Sequence, residues 1–401
     1  FDPTRMAVQG DVVVVTVDSR LGIFGYFGHP GLAGSGTFGL QDQQSALRWV
    51  RRNAAAFGGE PGNVTLFGES GGAIAACDHL VSPSAVGLFD KVILQSGSCA
   101  LSWPANGPLI GAPAGSFARP RQQVEQAGTP AAARLGCPGS DNQVVLDCLR
   151  RLPTGSLLPH ANEFGVVATG TALLPRDPAA ALADGQTPRV PVISGHTRDE
   201  SRLIAAISEL LGNPVTDQDY RQLLTEAFGA RTPEVETQYP RADYESAALA
   251  WSAINTDRMF ACTQLTATRE LATRMPTYAY EFADENAPGY APFPPGFPPG
   301  ASHGSELVYL FDVAGKPSDL EGHPIPLTAA QKGLSSAMIR YWTRFAHTGN
   351  PNRYNAPQWR QWHGDRTDGY GYVQALAPGT DGIGPVDDNR AHHCDFWSTF
   401  S

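Results

Sequence analysis

Residues 64–72 read VTLFGESGG, and a helix-compatible stretch, Ala73 to Leu80, follows them. The apolar run predicts a short strand, and the glycines predict a sharp turn with Ser70 at its apex. Such a turn strains the backbone of its central residue and requires small neighbours, which Gly68 and Gly72 provide. The stretch therefore predicts a strand, a turn and a helix, with the Ser70 hydroxyl exposed at the carboxyl end of a sheet strand.

A serine in this position suits nucleophilic chemistry. The amide of Gly71, at the start of the helix, would point at an oxygen approaching Ser70. The bare pattern also arises by chance in glycine-rich chains, where it marks an ordinary turn with a solvated serine. The strand before it and the helix after it favour the nucleophile of an α/β-hydrolase, with Gly71 as an oxyanion donor.

Composition excludes two classes of function. The formal charge of -10 argues against a nucleic-acid surface, which needs a basic face. No apolar run approaches the ~20 residues of a membrane-spanning helix. A length of 401 residues with 42% hydrophobic residues is enough to bury a large core.

Strand-like and helical runs alternate along the chain, which is typical of the α/β class. We predict one α/β domain over residues 1–401, with a central, mostly parallel, twisted sheet flanked by helices. Helical periodicity predicts a helix between Leu40 and Phe57 and several more from Asp217 to Thr273. Strands are predicted at residues 11–18, 64–67, 91–97, 190–195 and 278–282. The first of these has no earlier partner in the sequence, so we expect the chain to be a fragment.

Several histidines could serve as the base that takes the serine proton. His303 lies in a loop of small residues, where a ring can be presented without crowding. His347 has the sequence context of a helix end, where a positive charge suits the terminal carbonyls. His392 and His393 lie near the chain end and have the character of structural residues. The residues alone favour His303 but do not settle the choice.

The acid that orients the base is expected between Ser70 and the histidine in chain order. Asp199 and Glu200 follow a predicted strand, at the sheet edge where such enzymes place catalytic groups. The residues alone leave both candidates open.

The six cysteines are an even number and allow 15 full pairings. Cys137 and Cys148 are near neighbours, and a bridge between them would contribute about 3 kcal/mol on the chain-entropy model. Buried reduced thiols are the alternative. We favour disulfides and an oxidising compartment. His392-His393-Cys394 has no second ligand cluster nearby in the sequence, so we expect no zinc site.

Several segments together resemble the type-B carboxylesterase, or cholinesterase-like, family. The resemblance spans essentially the whole chain, with close motifs in the first hundred residues and scattered ones later. The matching segments are residues 11–25, 38–43, 46–50, 57–59, 63–72, 95–98 and 394–397.

The resemblance implies a serine hydrolase that cleaves carboxylic esters through an acyl-enzyme. It implies Ser70 as the nucleophile, Glu200 and not Asp199 as the acid, and His303 as the base, because residues 303–307 fit the family's His-Gly-x-acid-aliphatic motif. No metal or organic cofactor is expected, and the partners are a small-molecule ester and water. A lipase or thioesterase on the same scaffold, or a binding protein with little or no catalysis, are the alternatives.

The resemblance also implies a disulfide framework and an incomplete oxyanion site. The pairs are Cys137–Cys148, Cys262–Cys394 and, by elimination, Cys77–Cys99. The family's His-Gly-Gly-Gly-type loop would lie upstream of Phe1, which leaves Gly71 as the one oxyanion donor in this sequence. We therefore expect an N-terminally truncated domain from a secreted or periplasmic protein whose export signal lies outside the sequence.

Overall fold

A computed structural model describes residues 1–108, 110–313, 317–353, 356–363 and 371–400. The strands within those ranges are β1 Thr65–Glu69, β2 Lys91–Gln95, β3 Ser102–Trp103, β4 Gly115–Ser116, β5 Ala118–Pro120, β6 Val167–Thr169, β7 Val192–Thr197, β8 Thr277–Phe282, β9 Val373–Leu376 and β10 Ile383–Val386.

The helices fill most of the chain between the strands. They are α1 Thr4–Gly10, α2 Gly22–Tyr26, α3 Phe38–Asn53, α4 Gly71–Leu80, α5 Arg121–Arg134, α6 Asn142–Arg150, α7 Thr154–Leu157, α8 Pro178–Ala183, α9 Arg202–Leu210, α10 Asp217–Phe228, α11 Thr232–Gln238, α12 Ala247–Asn255, α13 Cys262–Ala272, α14 Leu307–Leu310, α15 Ala329–Thr348, α16 Asp388–Ala391 and α17 Cys394–Trp397. A π-helical turn, Thr256–Ala261, separates α12 from α13.

The central sheet has six strands in the order β1-β2-β7-β8-β9-β10. The first five run parallel, and β10 pairs antiparallel with β9. The carboxyl ends of the parallel strands therefore meet at one edge, where α/β proteins place their sites. The predicted α/β class with a mostly parallel sheet is confirmed.

Both faces of the sheet are covered, which explains the continuous apolar runs of its inner strands. Successive side chains of a strand point to opposite faces. Val92 and Leu94 of β2 accordingly pack in one core with Leu80 of α4. Ile93 packs in a second core with Met338 of α15.

Helix α15 begins and ends at residues whose chemistry favours those positions. Thr328 and Gln331 form a reciprocal capping box at its start, which satisfies two backbone amides that lack helical acceptors. Gly349, with a φ of 74°, ends the helix in the left-handed conformation that glycine adopts most easily.

The predicted strand at residues 11–18 is wrong. Residues 12–18 have no regular secondary structure, and Val13, Val15 and Val17 are 46%, 42% and 51% exposed. A β-strand exists only by pairing its backbone with another strand. No described strand pairs with this run, so its apolar character does not produce one.

The cysteines form three disulfides, Cys77–Cys99, Cys137–Cys148 and Cys262–Cys394. This is the pairing that the resemblance implied. Within the described ranges, no helix combines the length and the apolar content that crossing a bilayer would require.

Candidate active site

Ser70 lies at a sharp turn between β1 and α4. Its φ of 56° and ψ of -122° are rarely adopted by a residue with a side chain. Its amide donates to the Gln95 carbonyl of β2 at 2.9 Å, and its own carbonyl accepts from the Ala73 and Ile74 amides at 3.0 Å. These backbone bonds hold the strained turn at the carboxyl edge of the sheet.

The two glycines that flank the turn have different roles. A Cβ built on Gly68 would lie 2.3 Å from the Gly72 carbonyl carbon, so no larger residue fits at position 68. A Cβ on Gly72 would have nothing within 4 Å. The expectation that both positions require a small residue is therefore correct for Gly68 and wrong for Gly72.

Gly71 begins α4, so its amide has no acceptor within the helix. The residue is exposed, and a Cβ built on it would also have nothing within 4 Å. The amide thus borders open space beside Ser70, where a substrate oxygen could approach.

His303 and Glu200 are in direct contact. Nδ1 of His303 lies 2.5 Å from Oε2 of Glu200, and the other carboxylate oxygen accepts from the Thr197 amide at 2.9 Å. Glu200 has no exposed side-chain surface, whereas the His303 side chain keeps 16% of its own. A buried carboxylate that receives the Nδ1 proton leaves Nε2 as the nitrogen able to take a proton from elsewhere.

Asp199, the other candidate acid, points away from this histidine. Its carboxylate pairs with Arg202 at 2.9 Å and accepts from the Ala301 amide at 2.9 Å. It therefore fastens the loop that carries His303 and does not contact the ring.

The Ser70 hydroxyl makes no hydrogen bond with His303 among the residues that the structure describes. Instead, Oε1 of Glu69 lies 3.2 Å from Nε2 of His303, without hydrogen-bond geometry. Because Glu69 precedes Ser70 directly, this contact brings the imidazole to the turn that carries the serine. The structure thus joins Glu200 to His303, and His303 to the residue beside Ser70.

The acids around the ring set its protonation. Burial alone lowers the pKa of His303, but the charges of Glu200 and Glu69 outweigh burial and raise that pKa to about 9. Burial raises the pKa of Glu69 to about 7, against the opposing effect of His303. The site therefore favours a protonated imidazole between two acids.

The chain matches a family model described as the carboxylesterase family over residues 1–397. It belongs to this family. It is 30% identical over 373 residues to a cocaine esterase of Oryctolagus cuniculus, with 90% of this chain and 66% of that protein covered. It is 32% identical over 378 residues to carboxylesterase 5A of Felis catus, with 90% and 65% covered.

A bile salt-activated lipase of Rattus norvegicus is 30% identical over 404 residues, with 93% of this chain and 61% of that lipase covered. The chain therefore spans a little under two thirds of the length of these curated carboxylesterase relatives.

Sequence reasoning missed Phe260 at this site and gave no role to Glu306, which it used only as the acid of the motif over residues 303–307. The ring of Phe260 lies 5.2 Å from that of His303 and belongs to the π-helical turn Thr256–Ala261. Glu306 is fully buried, and burial, followed by repulsion from Glu69, raises its pKa to about 8. The spacing of Glu306 from His303 was a usable signal, whereas nothing in the sequence around Phe260 indicated its place.

Glu306 is connected to the core behind the site. Gln95 donates to Oε1 of Glu306 at 3.2 Å and accepts from the Trp342 indole at 3.0 Å. This chain of contacts fixes the buried acid against the carboxyl end of β2.

The other candidate histidines lie elsewhere. Nε2 of His347 lies 2.8 Å from the Gly10 carbonyl, at the end of α15. His393 bonds with Gln238. His392 lies in a separate buried cluster with Asp257 and Glu281.

Proposed function

We propose that this protein is a carboxylic-ester hydrolase with Ser70 as nucleophile, His303 as base and Glu200 as the acid that orients the base. One α/β-hydrolase domain over residues 1–401 would carry these groups. The observation that carries the proposal is the 2.5 Å contact between Glu200 and His303. It lies at the same sheet edge as the strained turn of Ser70, in a chain of the carboxylesterase family.

The proposed reaction has two acyl-transfer steps. His303 Nε2 takes the Ser70 proton as the oxygen attacks the ester carbonyl, and Glu200 stabilises the resulting imidazolium. The imidazolium then protonates the leaving alcohol. Water, activated by the same ring, attacks the acyl-serine and releases the carboxylic acid.

The first step requires His303 to exchange partners. Oε1 of Glu69 lies 3.2 Å from Nε2, the nitrogen proposed to meet the serine hydroxyl, so this contact must give way before Nε2 can take the proton. The Gly71 amide is the donor proposed for the carbonyl oxygen as it becomes negatively charged. No step calls for a metal or an organic cofactor.

A fluorophosphonate probe tests the proposal because it reacts with an activated serine. We expect stoichiometric labelling of Ser70 in the intact chain and loss of the label in Ser70→Ala. The exposed Ser156 provides the matched control, and Ser156→Ala should label like the unaltered protein. Labelling that persists in Ser70→Ala, or an absence of labelling in the folded protein, would overturn the proposed mechanism.

Ester chain length distinguishes an esterase from a lipase. A carboxylesterase should release nitrophenol faster from short-chain than from long-chain nitrophenyl esters, and a lipase should show the reverse. If Ser70 is labelled but neither ester releases nitrophenol, the protein has an activated serine without ester turnover. That result would favour the alternative of a binding protein with little or no catalysis.

We also propose that the protein functions in an oxidising compartment, either in the periplasm or outside the cell. The three disulfides support this location, because the cytoplasm is a reducing environment in which cysteines stay reduced.

A further inference from the structure

A second cluster of imidazoles and carboxylates is buried in the protein and has no part in the proposed reaction. His196 lies on β7 and Glu281 on β8, while Asp388 and His392 lie on α16 and directly after it. All four residues are 2–3% exposed. The cluster joins the end of the chain to the two middle strands of the sheet.

Three of these residues have potential ligand atoms close together. One ligand atom each of His196, Asp388 and His392 lies within 4.8 Å of the other two. Oδ1 of Asp388 is 3.1 Å from Nε2 of His196 and 3.9 Å from Nε2 of His392. Oε1 of Glu281 lies 2.9 Å from the same nitrogen of His392.

These separations suit a tetrahedral ion. Zinc bonds of about 2.0–2.1 Å place neighbouring ligand atoms roughly 3.3–3.4 Å apart. The Asp388 distances of 3.1 and 3.9 Å lie on both sides of that value. Small shifts of the His196, Asp388 and His392 side chains would bring these three ligand atoms to bonding distance.

The outer nitrogens of both rings are already held as metal-binding histidines require. Nδ1 of His392 lies 2.6 Å from Asp257, whose other oxygen accepts from the Tyr239 hydroxyl at 2.6 Å. Nδ1 of His196 lies 3.1 Å from the Thr197 carbonyl. A proton on each Nδ1 leaves the lone pair on Nε2, and a carboxylate behind the ring makes that lone pair more basic.

Charge balance allows an ion at this position. Asp257, Glu281 and Asp388 place three carboxylates around two imidazoles. A divalent cation would offset two of these three negative charges.

We propose that His196, Asp388 and His392 form a buried site for a divalent transition-metal ion, with Zn²⁺ as the favoured ion. Glu281 lies beside the site, in contact with Nε2 of His392. Two imidazoles and a carboxylate are a ligand set that zinc prefers. This proposal departs from the expectation of no zinc site around His392, because the ligand His196 comes from a strand far away in the sequence.

The ion would fasten the C-terminal segment to the sheet. Cys394, two residues after His392, forms the disulfide with Cys262, so the metal and the disulfide would act at neighbouring points. On the other side, Thr197 follows His196 directly, and its amide holds Glu200. The site thus supports the strand end that positions the proposed catalytic acid.

Metal content of the tag-free protein tests the proposal. We expect about one zinc per chain by mass spectrometry after expression in zinc-supplemented medium, and a melting temperature about 5 °C or more above that of chelator-treated protein. Replacement by Co²⁺ should give the visible absorption of a tetrahedral ion with nitrogen and oxygen ligands.

Substitutions of the proposed ligands test where the ion binds. Asp388→Asn and His196→Gln should lose the zinc, and Asp257→Asn should bind it ~10–100-fold more weakly while keeping every ligand. The control is His323→Gln, which alters the exposed Asp319–Glu321–His323 group and should keep a full complement. The proposal is wrong if the unaltered protein takes up no zinc and gains no stability, or if zinc is lost only in His323→Gln. If the ligand variants fail to fold, the Co²⁺ spectrum of the unaltered protein tests the proposal instead. The absence of a tetrahedral spectrum would then contradict it.

Discussion

The Glu69 carboxylate lies 3.2 Å from Nε2 of His303, on the edge of the ring opposite Glu200. One imidazole is thus held between two acids, one of them directly beside the proposed nucleophile. Glu200 is positioned to orient the ring. Glu69 lies beside the nitrogen that would receive the serine proton in the proposed reaction, and its charge favours the protonated form of the ring.

Glu69→Gln should move the pH dependence of ester hydrolysis. His303 acts as a base only when neutral, so activity rises as pH increases through its pKa, which lies at about 9. Because the charge of Glu69 raises that pKa, removing it should shift the acidic limb of the kcat/KM profile to lower pH by about one unit. The measurement is kcat/KM for a nitrophenyl ester between pH 5 and pH 10.

Glu69→Asp is the matched control, because it retains the charge. The acidic limb of its kcat/KM profile should lie at a higher pH than that of Glu69→Gln. A limb that stays in place in Glu69→Gln, or moves to higher pH, would contradict the role assigned to this carboxylate.

Glu200→Gln should lower kcat by ~10³–10⁴ with little change in KM. The amide of glutamine can still occupy the position beside the Thr197 amide, but it cannot stabilise a positive imidazolium. Ester turnover under saturating substrate measures the effect.

Asp199→Asn tests the choice between adjacent acids. Asp199 contacts Arg202 and the Ala301 amide and not His303. We expect Asp199→Asn to reduce kcat by less than about tenfold, because the loop that carries His303 would be held less firmly. An effect of Asp199→Asn as large as that of Glu200→Gln would show that the acid has been assigned to the wrong residue.

Gly68→Ala should disable the nucleophile turn, whereas Gly72→Ala should be tolerated. The new methyl group at position 68 would meet the backbone of Gly72 at 2.3 Å, and only a shift of the strained turn could relieve it. A displacement of about 1 Å at a reacting group costs ~10² in rate. At position 72 the methyl group has open space, and the change in rate should stay within about twofold.

Ester turnover and the rate of fluorophosphonate labelling report on both glycine variants. Circular dichroism identifies any loss of folding. Equal activity of the two variants would mean that the backbone at Gly68 adjusts more freely than the close approach to Gly72 implies.

The turn of Ser70 was predictable because its geometry depends on neighbours in the sequence. A strand, two glycines and a helix leave few conformations for the residue between them. The run at residues 11–18 has an equally strong local pattern, yet it forms no strand, because pairing depends on a partner that local sequence does not specify.

Contacts between distant segments were not predictable from the residues alone. The side chain of Asp388 reaches His196 across 192 residues, and Phe260 reaches His303 from a π-helical turn with no sequence signature. Strand β9, Val373–Leu376, has only four residues and includes a glutamine. Its sequence is therefore too short to show the alternation of apolar and polar residues that predicts a strand. Glu200 was favoured over Asp199 through the family resemblance, and His303 through that resemblance and the loop of small residues around it.

Removal of the Cys262–Cys394 disulfide should cost more stability than removal of Cys137–Cys148. The first joins residues separated by 132 positions, and the second joins residues separated by 11. On the chain-entropy model, the longer loop contributes about 5 kcal/mol and the shorter loop about 3 kcal/mol, because a longer loop restricts the unfolded chain more.

Urea unfolding of the two double alanine variants, followed by tryptophan fluorescence, measures the difference. Trp397 packs in the core that contains Cys262 and Cys394, so it contributes to the emission change when that region unfolds. The Cys262→Ala/Cys394→Ala variant should unfold at the lower urea concentration. If the Cys137→Ala/Cys148→Ala variant were the less stable of the two, native packing around the short loop would outweigh the entropy of the unfolded chain.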